Sequence, residues 1–156
     1  MTSPTDPIDE EERELILLEA ELLVERSSLE FDEAQYDSAL DFAQQALVIF
    51  ETHGNESSGL LALMMVAHVL RIQGRRSEAL VHFRQCLETA RKVGDRTRTG
   101  DSLHQIGVIH VGEHEYDQAH LALLEALAIA EETGNRLSVG QLQRNIASVH
   151  YNQGRF

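Results

Sequence analysis

Residues 116–135 read YDQAHLALLEALAIAEETGN, and the same pattern occurs twice before, at 36–55 (YDSALDFAQQALVIFETHGN) and at 76–95 (RSEALVHFRQCLETARKVGD). The three segments align without gaps, and the starting positions 36, 76 and 116 give a period of 40 residues. Small residues mark the shared register: Ala39, Ala79 and Ala119, then Gly54, Gly94 and Gly134. A fixed period of this length predicts a solenoid or another repeat array.

Each repeat reads as two helices. In the third copy, Ala119, Leu123, Ala126 and Ala130 recur at helical spacing and form one apolar stripe. The glycine that closes each copy suits a left-handed helix end, and the Asn or Asp after it can begin the next helix. The pattern predicts helices near 9–33, 37–53, 56–73, 77–93, 97–112, 117–133 and 137–153, and it predicts no strand.

A known repeat family shares this order of residues. The order begins with a small residue, Gly107, and His110 follows at a position for an aromatic or aliphatic residue. An aromatic corner residue, Tyr116, comes next, and then two alanines seven apart, Ala119 and Ala126. An incomplete fourth copy shows Ala147, His150, Gly154 and Phe156. This order resembles the tetratricopeptide repeat family, in a glycine-closed variant similar to the repeats of kinesin light chain and bacterial regulators. The resemblance implies an all-α, right-handed α-solenoid of antiparallel helix pairs, with about three and a half repeats.

The composition limits the classes of partner that the chain is expected to bind. The 156 residues carry 26 acids and 13 bases, a net charge of −13, which disfavours nucleic acid and anionic membranes as direct partners. The first 35 residues hold 12 acids against two bases. We see neither a secretory signal nor a membrane-spanning apolar run, so we expect a cytoplasmic protein. Arginine outnumbers lysine by 12 to one, which favours a GC-rich bacterial source.

The family resemblance implies a concave groove lined by the first helix of each pair. The groove residues expected from it are Met64, Met65, His68, Arg71, Asp101, His104, Gln105, Val108, Gln141, Arg144, Asn145, Ser148 and Tyr151. Asn145 can pair with a peptide backbone, and Arg144 offers a planar fork for a carboxylate. Met64 and Met65 offer an adaptable apolar patch, although all these side chains also suit an ordinary solvent-facing helix.

Two other features of the sequence raise the possibility of a metal site or a catalytic nucleophile. Residues 110–114 read HVGEH, which matches the H-x-x-E-H pattern of zinc peptidases. The repeat register instead puts His110 on the packed stripe, and it puts Glu113 and His114 in the corner before Tyr116. Cys86 occupies the place of alanine in the other repeats, so we expect a small buried residue there. We therefore predict no catalytic residue, no metal and no cofactor.

The ends of the chain lead to expectations about domains and partners. We expect a disordered tail at 1–8 and a repeat domain at 9–156, truncated at its C-terminal end, where a two-fold homodimer can form. The predicted function is a non-catalytic interaction scaffold that binds a peptide or helix segment of another protein in its groove. The alternatives are a peptide-sensing module of a larger transcriptional or signalling protein and, more distantly, a zinc- or histidine-dependent hydrolase.

Overall fold

The structure is a computed structural model that describes residues 8–54 and 56–154. Within these ranges the chain forms seven helices: α1 (Glu10–Asp32), α2 (Tyr36–His53), α3 (Glu56–Ile72), α4 (Arg76–Val93), α5 (Arg96–Gly112), α6 (Tyr116–Glu132) and α7 (Arg136–Asn152). Every predicted helix is confirmed, with each end within one residue of the predicted one. The predicted tail lies outside the described residues except for Ile8, and Arg155 and Phe156 lie outside them too.

The helices fall into two compact units, Met1–Val69 and Leu70–Phe156. In the first unit, α1, α2 and α3 bury a cluster of small and large side chains that comprises Ala20, Val24, Ala46, Phe50 and Ala62. In the second unit, α5, α6 and α7 share a cluster that comprises Leu103, Ala119, Leu123, Ala126, Ile129, Ala130, Leu142 and Val149. None of the helices within the described residues combines the length and the apolar character needed to cross a bilayer.

Small residues let paired helices approach closely. Ala119 is fully buried, and Ala126 is 1% exposed, both on the side of α6 that faces the core. On the facing helix α5, a Cβ added to Gly107 would lie 2.6 Å from Cγ of Leu123, closer than real Cβ contacts. The repeated small positions of the sequence are therefore the points where two helices meet.

The glycines that close the second helices adopt two conformations. Gly94 and Gly134 have φ values of 75° and 70°, as the left-handed helix end predicts. Gly54 does not, because its φ of −88° and ψ of −160° are extended, so the prediction is wrong at this position. Glycine suits Gly54 for a steric reason instead, since an added Cβ would lie 2.7 Å from the carbonyl oxygen of Phe50.

The corners between paired helices all turn through a left-handed residue. Gly74 and Gly154 have φ values of 79° and 65°, and Ala34 and His114 reach 59° and 62° at the equivalent positions. A side chain in this region is strained by about 1–2 kcal/mol relative to the right-handed one. The corner geometry is thus imposed by the packing of the two helices and persists where glycine is absent.

Polar caps begin the later first helices, as predicted. The carboxylate of Asp95 accepts hydrogen bonds from the backbone N–H of Arg98 at 3.0 Å and from its guanidinium at 2.8 Å. The side-chain oxygen of Asn135 accepts from the backbone N–H of Ser138 at 3.1 Å. These caps satisfy N–H groups that the first turn of a helix leaves unpaired and hold α5 and α7 at defined starting points.

Candidate ligand-binding face

A side-chain hydrogen bond joins α5 to α7 in the second unit. The amide nitrogen of Asn145 lies 2.8 Å from Nε2 of His104, and both residues are among the predicted groove positions. An amide nitrogen can only donate, so Nε2 accepts and the proton of the neutral imidazole resides on Nδ1. The carbonyl oxygen of the Asn145 side chain keeps its capacity to accept a hydrogen bond from a ligand.

Burial and charge keep His104 neutral. The partial burial of the imidazole lowers the pKa of His104, and the positive charge of Arg71 lowers it further. An imidazole with a lowered pKa is unprotonated at neutral pH, which agrees with its role as acceptor from Asn145. The Asn145–His104 pair is therefore an uncharged, polar element next to a guanidinium.

Arg71 supplies the positive charge of this region. It is half-buried at the end of α3, and burial lowers the pKa of its guanidinium. Its Nε is buried and forms no hydrogen bond with any part of the chain that the structure describes. This N–H is shielded from solvent, so a ligand can contact Arg71 only through the exposed part of its half-buried side chain.

Asp101 lies on α5, three residues before His104. Partial burial raises the pKa of the Asp101 carboxyl, Arg98 opposes this change, and Asp95 reinforces it. Asp101 also lines a small open cleft, together with Thr97, Gly100, His104, Ala126, Ile129, Ala130, Thr133, Asn135, Ser138 and Leu142. The cleft is apolar along α6 and polar along α5, and most of its lining was not predicted.

The other predicted positions of the second unit differ in exposure. Gln105 and Gln141 are half-buried, and Arg144 and Ser148 are exposed. Tyr151 is 71% exposed. Arg144 precedes Asn145 on α7, and consecutive helical residues point about 100° apart, so the predicted pair does not act at one point. Only Asn145 of that pair contacts the cluster of His104 and Arg71.

The predicted methionine patch lies in the first unit. Met64 is only 7% exposed, so its side chain belongs to the interior, and the prediction that it lines a groove is wrong in this respect. The apolar stripe of α3 is wider than the repeat pattern indicated, which places Met64 inside it. Met65 is half-buried against the cluster of the first unit, and His68 is half-buried as well.

The HVGEH segment does not form a shared site. His110 is 5% exposed, and its Nδ1 lies 2.5 Å from a carboxylate oxygen of Glu115. Glu113 pairs with Arg76 at 3.6 Å, and His114 contacts the hydroxyl of Tyr116 at 2.8 Å. No group of three or more His, Cys, Asp or Glu side chains within residues 8–54 and 56–154 is placed to hold a metal ion.

Cys86 is a buried packing residue, as its place in the repeat predicted. Its side chain is fully buried in α4, and desolvation raises the pKa of the thiol to about 12. A nucleophilic cysteine needs a lowered pKa, so Cys86 has the opposite of the required environment.

Comparison with known proteins agrees with the repeat architecture. The sequence model of the tetratricopeptide repeat family matches residues 59–132. The regulatory protein AfsR of Streptomyces griseus is 30% identical over 94 residues. That match covers 60% of this chain and 10% of AfsR, so the chain spans about a tenth of the length of this relative.

Solved structures share the fold at low identity. Aspartyl phosphate phosphatase F from Bacillus subtilis superimposes with a TM-score of 0.83 at 23% identity, over 89% of this chain and 37% of that one. A Rap protein complexed with competence and sporulation factor gives 0.79 at 21% identity, over 89% and 39%. A putative kinesin light chain from Podosopora anserina with TPR-like repeats gives 0.75 at 18% identity, over 86% and 66%. The all-α repeat solenoid is thereby confirmed.

Proposed function

We propose that this chain, whose residues 59–132 match the sequence model of the tetratricopeptide repeat family, is a cytoplasmic, non-catalytic protein–protein interaction module that binds a peptide segment of another protein. The proposed binding face lies in the second unit. It comprises the predicted residues Arg71, Asp101, His104, Gln105, Gln141, Arg144, Asn145, Ser148 and Tyr151. Arg71, His104 and Asn145 form its centre.

The observation that carries the proposal is the unsatisfied hydrogen-bonding capacity around the Asn145–His104 pair. The side-chain oxygen of Asn145 can accept from a backbone N–H, and the half-buried guanidinium of Arg71 can donate to a carbonyl or carboxylate oxygen. An extended peptide presents both kinds of group along its backbone. A ligand that also carries a carboxylate gains a charge-assisted hydrogen bond from Arg71.

The test is selection of peptides from a random library displayed on phage, with the immobilised chain as target. Enriched peptides are synthesised with a fluorophore, and their binding is measured by fluorescence polarisation. We expect Asn145→Ala and Arg71→Ala each to weaken binding about tenfold or more, because a lost polar contact at a desolvated site is worth about 1–3 kcal/mol. Leu121→Ala is the matched control, since Leu121 is 70% exposed on α6, away from the proposed centre.

Two results would contradict the proposal. One is a selection that enriches no peptide above the level of a blank surface. The other is a set of peptides whose affinity is the same for the wild-type chain, Asn145→Ala and Arg71→Ala. Circular dichroism of each variant checks that the helices remain intact.

A second candidate is a peptide-sensing module of a larger regulator. The match to AfsR, a regulatory protein of which this chain spans about a tenth, favours it. In that case the binding face is the same, but ligand occupancy changes the behaviour of further domains. Binding that is detected with the isolated chain and alters the activity of the full-length gene product would distinguish a sensor from a plain scaffold.

A further inference from the structure

The hydrogen bond between Asn145 and His104 fixes which group of the Asn145 side chain is left for a ligand. The amide nitrogen of Asn145 lies 2.8 Å from Nε2 of His104, so the amide oxygen points away from the ring. An amide carries donors on one side and an acceptor on the other, and a half-turn about the bond between Cβ and Cγ exchanges them. The bond to His104 therefore decides whether Asn145 offers an acceptor or a donor.

The direction of this bond depends on the protonation state of His104. In the neutral imidazole, Nε2 accepts from Asn145 and Nδ1 carries the proton. A protonated imidazole donates from both nitrogens. Two donors 2.8 Å apart repel each other, so the pair can stay bonded after protonation only if the Asn145 amide makes its half-turn and accepts through its oxygen.

The charged groups near His104 lie on α3 and on its own helix. Burial and then the positive charge of Arg71, at the end of α3, lower the pKa of His104. On α5, Asp101 lies three residues before His104, and burial raises the pKa of its carboxyl. Burial and Arg71 thus hold the imidazole neutral at neutral pH, and acidification is the change that protonates it.

The other helices packed against α5 present uncharged groups on this side. Helix α7 contributes Asn145, and the exposed Arg144 precedes it. Where α6 lines the cleft that includes His104, it contributes Ala126, Ile129, Ala130 and Thr133. The buried side of α4 carries Ala79, Phe83, Cys86 and Ala90, and burial raises the pKa of the Cys86 thiol to about 12, which keeps it neutral.

The repeat register shows that this pair is not required by packing. One repeat earlier, Met64 and Gln105 hold the positions equivalent to His104 and Asn145. One repeat after His104, the equivalent position belongs to the exposed residue Arg144. The repeat thus accepts methionine, histidine or arginine at this position. Titration in the physiological range is the property that distinguishes the histidine from the other two.

We propose that His104 and Asn145 form a pH-sensitive switch in the binding face, in which Nε2 of His104 takes up a proton from solvent and the Asn145 amide turns to offer a donor in place of an acceptor. The inference rests on the proposed function, because it concerns the regulation of the same face. At neutral pH the acceptor of Asn145 and the donors of Arg71 together suit a peptide segment, which has both N–H and C=O groups.

Protonation changes what this point of the face can bind. Once the amide has turned, Asn145 offers only N–H groups, and His104 adds a positive charge near Arg71. A ligand N–H that faced the Asn145 oxygen then faces another donor. Acidification should therefore release a peptide that was bound through this contact.

Nuclear magnetic resonance of the chain without ligand tests the switch directly. Histidine and asparagine are labelled with nitrogen-15, and the spectra of His104→Gln and Asn145→Ala identify the signals of the pair by their loss. At about pH 7.5 we expect Nε2 of His104 to be unprotonated, as its contact with Asn145 requires. As the pH falls to about 5.5, still above the isoelectric point of about 4.9, His104 and the Asn145 amide should titrate together, with one midpoint below 6.5.

Two variants separate His104 from the other titrating groups. His104→Gln keeps a side chain that can bond to Asn145 but removes the titration, so the Asn145 amide signals should stay in place across the same range of pH. His82→Gln is the matched control, because His82 is bonded to Gln85 of its own helix α4 and lies outside the proposed face. In His82→Gln the pair should titrate as in the wild-type chain.

Peptide affinity measures the consequence for the ligand. The probe is a fluorescent peptide selected at neutral pH by the phage experiment described above, and its dissociation constant is measured over the same range. For the wild-type chain and His82→Gln, the constant should rise along the His104 titration curve towards a limit about tenfold above its neutral value. For His104→Gln it should stay nearly constant.

Three results would overturn the inference. One is a His104 whose Nε2 already carries the proton at neutral pH, since the Asn145 oxygen would then accept before any acidification. Another is a titration of His104 that leaves the Asn145 amide signals unmoved. The third is a pH dependence of peptide affinity that is as large in His104→Gln as in the wild-type chain.

Failure of the proposed function is distinguishable from these results. A selection that enriches no peptide contradicts peptide binding alone, and the spectra of the free chain still decide whether the switch exists. The titration of the wild-type chain needs no substitution, so it also decides the matter if circular dichroism shows that His104→Gln does not fold.

Discussion

The substitution Gly107→Ala is expected to destabilise the second unit, although alanine is the better helix former. The new Cβ would lie 2.6 Å from Cγ and 2.7 Å from Cδ2 of Leu123, a side chain that is fully buried. Carbon atoms in favourable contact are about 3.5–4.0 Å apart. Helices α5 and α6 must therefore separate by about 1 Å, or Leu123 must leave its rotamer.

Comparison with Gly140→Ala separates the gain in helix propensity from the strain of overpacking. Replacing glycine by alanine within a helix gains about 1 kcal/mol of helix propensity. Gly140→Ala in α7 gains this term alone, because nothing lies within 4 Å of the added Cβ. Gly107→Ala adds the strain of overpacking, which is typically about 1–3 kcal/mol. The difference in stability between the two variants should thus be about 1–3 kcal/mol, with Gly140→Ala the more stable.

The assay is urea-induced unfolding followed by far-ultraviolet circular dichroism at low protein concentration. If the free energy of unfolding falls with urea concentration at the same slope for the wild type and both variants, the midpoints of unfolding measure the differences in stability. If Gly107→Ala proves as stable as Gly140→Ala, the close approach of α5 and α6 at Gly107 is not the constraint described above.

Three further predictions follow from buried or partly buried groups. Ser102→Ala should raise the free energy of unfolding by about 1 kcal/mol, because the buried hydroxyl of Ser102 has no partner among the described residues. Ser27→Ala should lower the free energy of unfolding by about the same amount, because it removes the 2.7 Å hydrogen bond to the carbonyl of Ala39. Urea unfolding measures both changes, and two changes of the same sign would contradict the prediction. Cys86 should resist a thiol reagent at pH 8 in the native chain and react once urea unfolds it, since burial raises its pKa to about 12; equal rates in both states would refute this. The pKa of His104 is lowered from 6.5 in the folded chain, so its contribution to stability is complete above pH 6.5 and is lost as the pH falls from there through the folded value. His104→Gln should make stability less dependent on pH across that window, and an unchanged dependence would contradict the prediction.

Local pattern was sufficient to predict the helices. The apolar stripe and the closing glycine of each repeat lie within one helix length, so seven helix ranges could be predicted to within one residue. The backbone conformation of Gly54 was predicted wrongly, because it depends on the path of the chain after Phe50 and not on the residue type alone. The burial of Met64 could not be predicted either, since it depends on how widely α3 is covered.

The candidate site was only partly predictable. Family register identified His104 and Asn145 separately, but their contact depends on the relative placement of α5 and α7. The unpaired, buried Nε–H of Arg71 could not be predicted, because it depends on which acceptors fail to come near it in the fold. The cleft beside Asp101 had one signal in the sequence: Gly100, a glycine inside a helix, which packs against Ile129.

The bond between Asn145 and His104 joins residues 41 apart, one repeat and one residue. Other side-chain bonds between helices, such as that between Arg91 and Glu125, join residues 34 to 40 apart. Chains whose contacts stay this local close only short loops on the way to the native state, and they fold quickly for their length. Each repeat needs only its immediate neighbours, so the loss of one helix pair should leave the others able to form, and unfolding can proceed in stages from either end.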